Sequence, residues 1–189
     1  MTRAERSKVT RTPQPRLVSR LSLGTLLAIG FIAGCVLSER GIATIQGTQP
    51  ESPITGTATL LPTPQGLRAS IRVTGAPPGT HGIHFHEKGD CGQGGNAAGG
   101  HYNPAGVQHG FLPKDGLRGA HAGDLGNIQI GPDGTGTLDL ILPGLTLREG
   151  AHPVDGRAII LHEKADDFGQ PTGNAGGRIA CGVIAVTGR

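Results

Sequence analysis

The stretch Gly82-Ile83-His84-Phe85-His86-Glu87-Lys88-Gly89-Asp90-Cys91 decides the fold. Ile83 and Phe85 alternate with two histidines, and the chain then breaks into polar, glycine-containing sequence. Period-two alternation marks a β-strand with different chemistry on its two faces. One face turns Phe85 into a core, and the other sets two imidazoles side by side on a rigid element. Neutral imidazoles so placed suit copper, zinc, nickel or iron. A lone His-x-His is weak evidence, because two polar residues on a solvent face read the same way.

Three further strings change the odds. They are GGHYNPAGVQHG with His101 and His109, AHAGDLGN with His121 and Asp124, and AIILHEKADD with His162. The chain has eight histidines, and six of them fall in these four strings. That is too concentrated for ordinary surface or core histidines.

Outward from the first string, alternation and breakers repeat. The 189 residues include 34 glycines and 14 prolines, a quarter of the chain, and only 3% aromatics. A helical bundle would not tolerate so many breakers, whereas short strands joined by turns and long loops would. Compact apolar runs such as LDLIL, RAIIL and CGVIAV count against disorder. Strands are expected near Gly41–Gly47 and at Thr55–Leu61, Leu67–Val73, Gly82–His86, Asn127–Ile130, Thr135–Leu142, Arg157–His162 and Ile179–Val186. The sequence Gly131-Pro132-Asp133-Gly134 is a hairpin turn between two of them. No convincing amphipathic helix lies between the strands. The expected fold is all-β, an eight-stranded antiparallel sandwich or flattened barrel. Two long connections, Glu87 to about Ala120 and Glu163 to Arg178, carry or border the histidine strings, and long loops in a compact domain are usually functional.

The N-terminus reads as a targeting segment. Arg3, Arg6, Lys8, Arg11, Arg16 and Arg20 precede the uncharged, mostly apolar run Leu21–Gly34. That run is short for a membrane span and suits a signal-peptide core. Ile32-Ala33-Gly34-Cys35 resembles a bacterial lipobox, which would make Cys35 a lipidated first residue. A plain secretory signal with a chance cysteine, or an uncleaved anchor, is the alternative. The expected organisation is a signal over 1–34, a tether and first strand over 35–53, and one domain over 54–189. Removing residues 1–34 leaves 11 bases against 13 acids, so the basic balance of the whole chain gives no support to nucleic-acid binding. Once Cys35 takes lipid, Cys91 and Cys181 remain as an even pair for a disulfide outside the reducing cytoplasm, or as two free thiols.

The strings GIHFHEKGDC, GGHYNP, HAGDLGN, HEKADDFG and GNAGGRIACGVIA, in that order, closely resemble the copper–zinc superoxide dismutase family. The resemblance spans about residues 55 to 187 and implies a Greek-key fold of the expected class. It makes His84, His86, His101 and His162 the copper ligands, and His101, His109, His121 and Asp124 the zinc ligands, with His101 bridging. It makes Asp166, in preference to Asp167, the carboxylate that orients one ring of each set, His84 and His109. Arg178 becomes the guanidinium that attracts superoxide beside copper. His101 and Arg178 would carry the chemistry, with one copper and one zinc per subunit.

His81 and His152 match no ligand position and are expected to face solvent, and Tyr102 is expected to pack. Lys88, Lys114, Arg118 and Lys164 could add positive potential. The second long loop departs from familiar members, because only Phe168 to Gly173 stand between HEKADD and NAGGR, without charged guiding residues. The expected partners are superoxide and, through the lipid, a membrane of the cell envelope. Val36, in place of the aspartate that retains lipoproteins in an inner membrane, points to the outer one. A homodimer is among the assemblies left open. Competing readings are a non-enzymatic copper-binding or delivery protein, an envelope adhesion module and a zinc hydrolase.

Overall fold

The computed structural model describes residues 38–188, so the expected signal segment and Cys35 lie outside the described residues. Its strands are β1 (Arg40–Gly47), β2 (Thr55–Thr63), β3 (Gly66–Thr74), β4 (Gly79–His86), β5 (Asp124–Ile130), β6 (Gly136–Pro143), β7 (Ala158–His162), β8 (Arg178–Val183) and β9 (Ala185–Thr187). They pair antiparallel in the order β2-β3-β6-β5-β4-β7-β8-β1, and β1 also pairs with β2, which closes the ring. β9 continues the line of β8 past Ile184. It pairs with Arg40–Ile42 at the start of β1, whereas β8 pairs with Gln46 and Gly47 at its end. The result is an eight-stranded antiparallel barrel whose last strand is interrupted once. The chain leaves its neighbours twice, from β3 to β4 and from β6 to β7, and these crossings make the Greek-key pattern.

Alternation explains the barrel wall. In β3, Leu67, Ala69, Ile71 and Val73 are buried while Arg68, Ser70 and Arg72 are exposed. Full burial contributes about 1.5–3 kcal/mol for each of Leu67, Ile71 and Val73. The GPDG turn forms as read, with Gly131 N–H donating to Thr135 O at 2.8 Å and Gly134 N–H to Gly131 O at 2.9 Å. Gly134 takes φ 75, a region glycine enters without a Cβ penalty.

Strands β4 and β7 differ from the rest, because both of their faces are covered. Their register sets Ile83 against Leu161 and Phe85 against Ile159, all four in the main core. The alternate residues lie outside the barrel and under loops. Ile160 and Ala158 join Ala98 and Cys181 in a small second cluster, and opposite them in register stand His84 and His86.

The first long connection is less irregular than expected. It contains a 3-10 turn at Asn96–Ala98 and a helical segment, α1 (Leu112–Gly119). Pro113 sits in the first turn, and Asp115 Oδ2 accepts the N–H of Phe111 at 2.8 Å. Gly116 breaks the segment with φ 64 and ψ 177, so it is two short turns. Leu112 and the half-buried Leu117 anchor one turn each, and the break at Gly116 between them leaves no continuous periodic stripe to read as a helix. Among the described residues, no helix is long and apolar enough to cross a membrane.

Candidate metal centre

The end of β4, the start of β5, the end of β7 and the first long connection converge at one place outside the barrel wall. β4 brings His84 and His86, β5 opens on Asp124, β7 ends on His162, and the connection brings His101, His109 and His121. Two sets form. One is His84, His86, His101 and His162, and the other is His101, His109, His121 and Asp124. Within each set the donor atoms all lie within 4.8 Å of one another, and every residue is buried. His101 belongs to both.

The second nitrogen of most rings is tied, which fixes the nitrogen that is offered. His86 Nδ1 faces Gly99 O at 3.0 Å, so Nε2 points inward and comes within 3.4 Å of His162 Nε2. Asp166 Oδ2 lies 2.8 Å from His84 Nε2, and Asp166 Oδ1 lies 2.9 Å from His109 Nε2. One carboxylate thus orients one ring of each set. Asp124 Oδ2 accepts the backbone N–H groups of Gly110 and His121, each at 2.9 Å. Its Oδ1 faces His101 Nδ1 at 2.9 Å and His121 Nδ1 at 3.1 Å. His101 therefore spends Nδ1 on the Asp124 set and leaves Nε2 to the other.

The polar bookkeeping shows that both sets suit a cation. His84 Nδ1 and His109 Nδ1 are buried and have no hydrogen-bond partner. His109 Nδ1 comes within 2.9 Å of Asp124 Oδ2, but at an angle that makes no hydrogen bond. A buried polar atom left unsatisfied costs about 1–3 kcal/mol. One such nitrogen stands in each set, aimed at the other donors. Four imidazoles can hold copper in either oxidation state, and three imidazoles with a carboxylate make a closed tetrahedral zinc site.

Burial sets the protonation of the first set. It pushes His86 down to about 2 and His162 to about 3, and it lowers His84 as well. His101 falls to about 4, burial outweighing the help of Asp124. His109 differs, since burial alone would lower it but the adjacent Asp124 carboxylate and the bond to Asp166 lift it to about 9. Both carboxylates lie well below the usual range. Burial opposes this, and their histidine partners overcome it. At neutral pH the first set is a group of neutral ligands, while His109 has two anions to balance.

A pocket of about 190 Å³ opens beside the first set, lined by His86, His101, His162, Thr172, Asn174 and Arg178 among others. Arg178 is braced by two bonds, one Nη to Gly95 O at 2.7 Å and the other to Gly99 O at 2.6 Å. The loop that carries those carbonyls is pinned by the Cys91–Cys181 disulfide, with Cα atoms 5.7 Å apart.

The model of the copper/zinc superoxide dismutase family matches residues 54–184. The chain belongs to that family. Its members bind copper and zinc, which accords with the two donor sets. Among solved structures, one described as the clock protein EA4 superposes with a TM-score of 0.68 at 41% sequence identity. That match covers 77% of this chain and 93% of the other.

Within this family centre, most residues read from the sequence meet, and some fall elsewhere. Asp167 lies outside, bonded to Gly169 N–H and to Asn174. His81 does not face solvent. It is 4% exposed, with Nδ1 2.8 Å from His162 O and Nε2 2.9 Å from Pro77 O. It shares the odd parity of Ile83 and Phe85, so the alternation that places His84 outward places His81 on the other face. His152 is also not solvent-facing. It is half-buried, with Nδ1 enclosed and without a partner. Tyr102 packs beneath the Arg157 guanidinium, which stands 4.2 Å from the ring centre. Lys88, Lys114, Arg118 and Lys164 are exposed, and the stem of Lys164 runs past Gly176 at the pocket rim.

Sequence reasoning passed over the groups that hold the centre from behind. Asn127 clamps the Asp166 backbone, accepting its N–H at 2.7 Å and donating to its O at 2.9 Å. Phe168 stacks on His109, the ring centres 6.3 Å apart. A Cβ on Gly173 would fall 1.9 Å from Asp166 Oδ1, so only glycine fits there. Asn127 closes the quoted string HAGDLGN, and its neighbourhood to the ligands was the available signal.

Proposed function

We propose that this chain converts superoxide to dioxygen and hydrogen peroxide, and that it does so in the cell envelope on a lipid tether. The observation that carries the reading is His101, which stands between two complete four-ligand sets with Nδ1 committed to one and Nε2 left to the other. His84, His86, His101 and His162 would hold copper. His101, His109, His121 and Asp124 would hold zinc. Copper held there would supply one-electron redox chemistry.

The chain's own residues govern access and protons. Arg178 offers a fixed positive charge to a small anion entering the pocket, and a guanidinium can also hydrogen-bond it. His101 can hold a proton at Nε2 and deliver it to the reduced product. Asp166 keeps His84 and His109 in orientation throughout. Two superoxides and two protons give one dioxygen and one peroxide. The Asp124 set is closed by four protein ligands, which argues against hydrolysis, since a hydrolytic zinc keeps an open position.

The envelope location draws on the basic and apolar segment before Cys35, and on a disulfide of the kind that persists in oxidising compartments. The described chain enters the barrel at the start of β1, while the end of β1 lies beside Arg178, where Thr48 Oγ1 donates to Arg178 O at 2.7 Å. An eight-residue strand is about 26 Å long.

A second reading is a non-enzymatic copper-binding protein on this fold, since the similar solved structure is named for a clock role and not for an activity. Stopped-flow decay of superoxide separates the two. The copper- and zinc-loaded protein is expected to remove superoxide catalytically, at a rate that falls with rising salt because the site attracts an anion. The metal-free and zinc-only forms are expected to do nothing beyond background. No copper-dependent decay with both metals verified as bound would leave the metal-handling reading.

A further inference from the structure

We infer that Gln170 is a positioning residue for the zinc half of the centre, gripping the backbone of His109 from the shortened second loop. This rests on the binuclear reading above and extends it to a residue with no ligand role.

In the loop from Glu163 to Arg178 the stretch Phe168 to Gly173 carries no charge, yet the loop must hold Asp166 beneath two rings. Most of its order is internal. Asp167 N–H donates to Gly173 O at 2.9 Å, Gly173 N–H to Gly169 O at 2.6 Å, and Phe168 N–H to Asp166 Oδ1 at 2.8 Å. Gln170 reaches outward instead. Its Oε1 accepts the His109 N–H at 3.0 Å, and its Nε2 donates to His109 O at 2.9 Å. A carboxamide bonded to both polar groups of one residue fixes that peptide as a neighbouring strand would. The two residues are 61 apart in sequence, so the grip ties one long loop to the other.

His109 is the residue where such a grip matters. Its Nδ1 is buried without a partner and faces the Asp124 set, and its Nε2 rests on Asp166 from the same short loop. With Gln170 on its backbone, Asp166 on its ring nitrogen and Phe168 on its ring face, His109 is held from three sides by the five residues Asp166 to Gln170. Gln170 also lines a second opening of about 390 Å³, which reaches His101 and His121. Loosening this segment would free a ligand and widen a path to the same set. Partners that orient metal ligands typically change metal affinity by 10- to 100-fold when lost. A grip on the backbone of one ligand belongs at the low end.

The test is zinc release from the copper- and zinc-loaded protein into excess chromophoric chelator, for wild type, Gln170→Met and Gln170→Glu. Gln170 is exposed, so Gln170→Met changes little of the core. Gln170→Met is expected to release zinc about tenfold faster. Gln170→Glu keeps an acceptor for the His109 N–H and should fall in between. Cobalt placed in the zinc position should show shifted visible bands in Gln170→Met, and the metal-free melting temperatures should coincide. Equal release rates in all three proteins would overturn the role. So would faster release matched by a lower metal-free melting temperature, which would make Gln170 a general brace. A wild-type protein that takes up no zinc would overturn the binuclear reading itself, and this inference with it.

Discussion

Asp166 is the residue on which both halves of the centre depend, since its two oxygens reach His84 Nε2 and His109 Nε2. Asp166→Asn keeps the shape but removes the charge and turns one acceptor into a donor. Both zinc and copper should be held about 10- to 100-fold more weakly, which competition with graded chelators would read. Unchanged affinity for both metals would show that the rings orient themselves. His81 carries a different kind of load, because it serves the backbone of His162 rather than a ring. His81→Ala leaves the carbonyl oxygens of His162 and Pro77 without that partner. One buried acceptor left open costs about 1–3 kcal/mol. At roughly 2–4 °C per kcal/mol for a domain of this size, the melting temperature should fall by several degrees. The copper(II) electron paramagnetic resonance signal should shift as His162 relaxes. A melt and a spectrum identical to wild type would make His81 a passenger.

At the scale of elements, β4 shows why so much of the centre could be read from sequence. Ile83 and Phe85 had to enter the core, so His84 and His86 had to leave it, and a one-residue slip would reverse every side chain. The same rule applied to His81 gives the inward face, and only its lack of a ligand counterpart drew the reading toward solvent. The helical segment α1 was not legible, because Gly116 divides it into two short turns with one apolar anchor each, Leu112 and Leu117. The two-point grips of Asn127 and Gln170 were not legible either, since they depend on where two loops meet in space rather than on spacing along the chain. The disulfide belongs to this scale too. Cys91–Cys181 closes 90 residues and holds the loop whose Gly95 and Gly99 carbonyls brace Arg178. Cross-links of this span are typically worth about 2–4 kcal/mol. Replacing both cysteines by serine should lower the metal-free melting temperature by on the order of 10 °C. Superoxide removal should also weaken at saturating metal, as Arg178 loses its brace. A variant that melts lower but keeps full activity would separate the loop's stability from the posture of Arg178.

At the scale of the whole molecule, the centre makes the stability of the metal-free barrel depend on pH in both directions. His84, His86, His101 and His162 are held below the ordinary histidine range, the last three at about 2, 4 and 3. As pH falls from about 6.5, the unfolded chain takes up protons that the folded one refuses. Stability is then lost until the pH reaches the folded values. Asp124 and Asp166 are also lowered, so protonation of the unfolded chain adds to the loss below the usual carboxylate range. His109 acts in the opposite sense. Raised to about 9, it contributes stability that is fully present below its ordinary value and lost as pH rises through 9. The metal-free protein should therefore melt highest near pH 6.5, with a steep acid arm driven by several groups and a shallow alkaline arm driven by one. Zinc should remove the alkaline arm, because a ligating His109 no longer carries the extra proton that gave the arm its slope. Melting curves of metal-free and zinc-loaded protein between pH 4 and 10 would decide the matter. A metal-free profile that is flat from pH 4 to 7, or one that keeps rising above pH 9, would mean that these histidines are not held as the buried geometry requires.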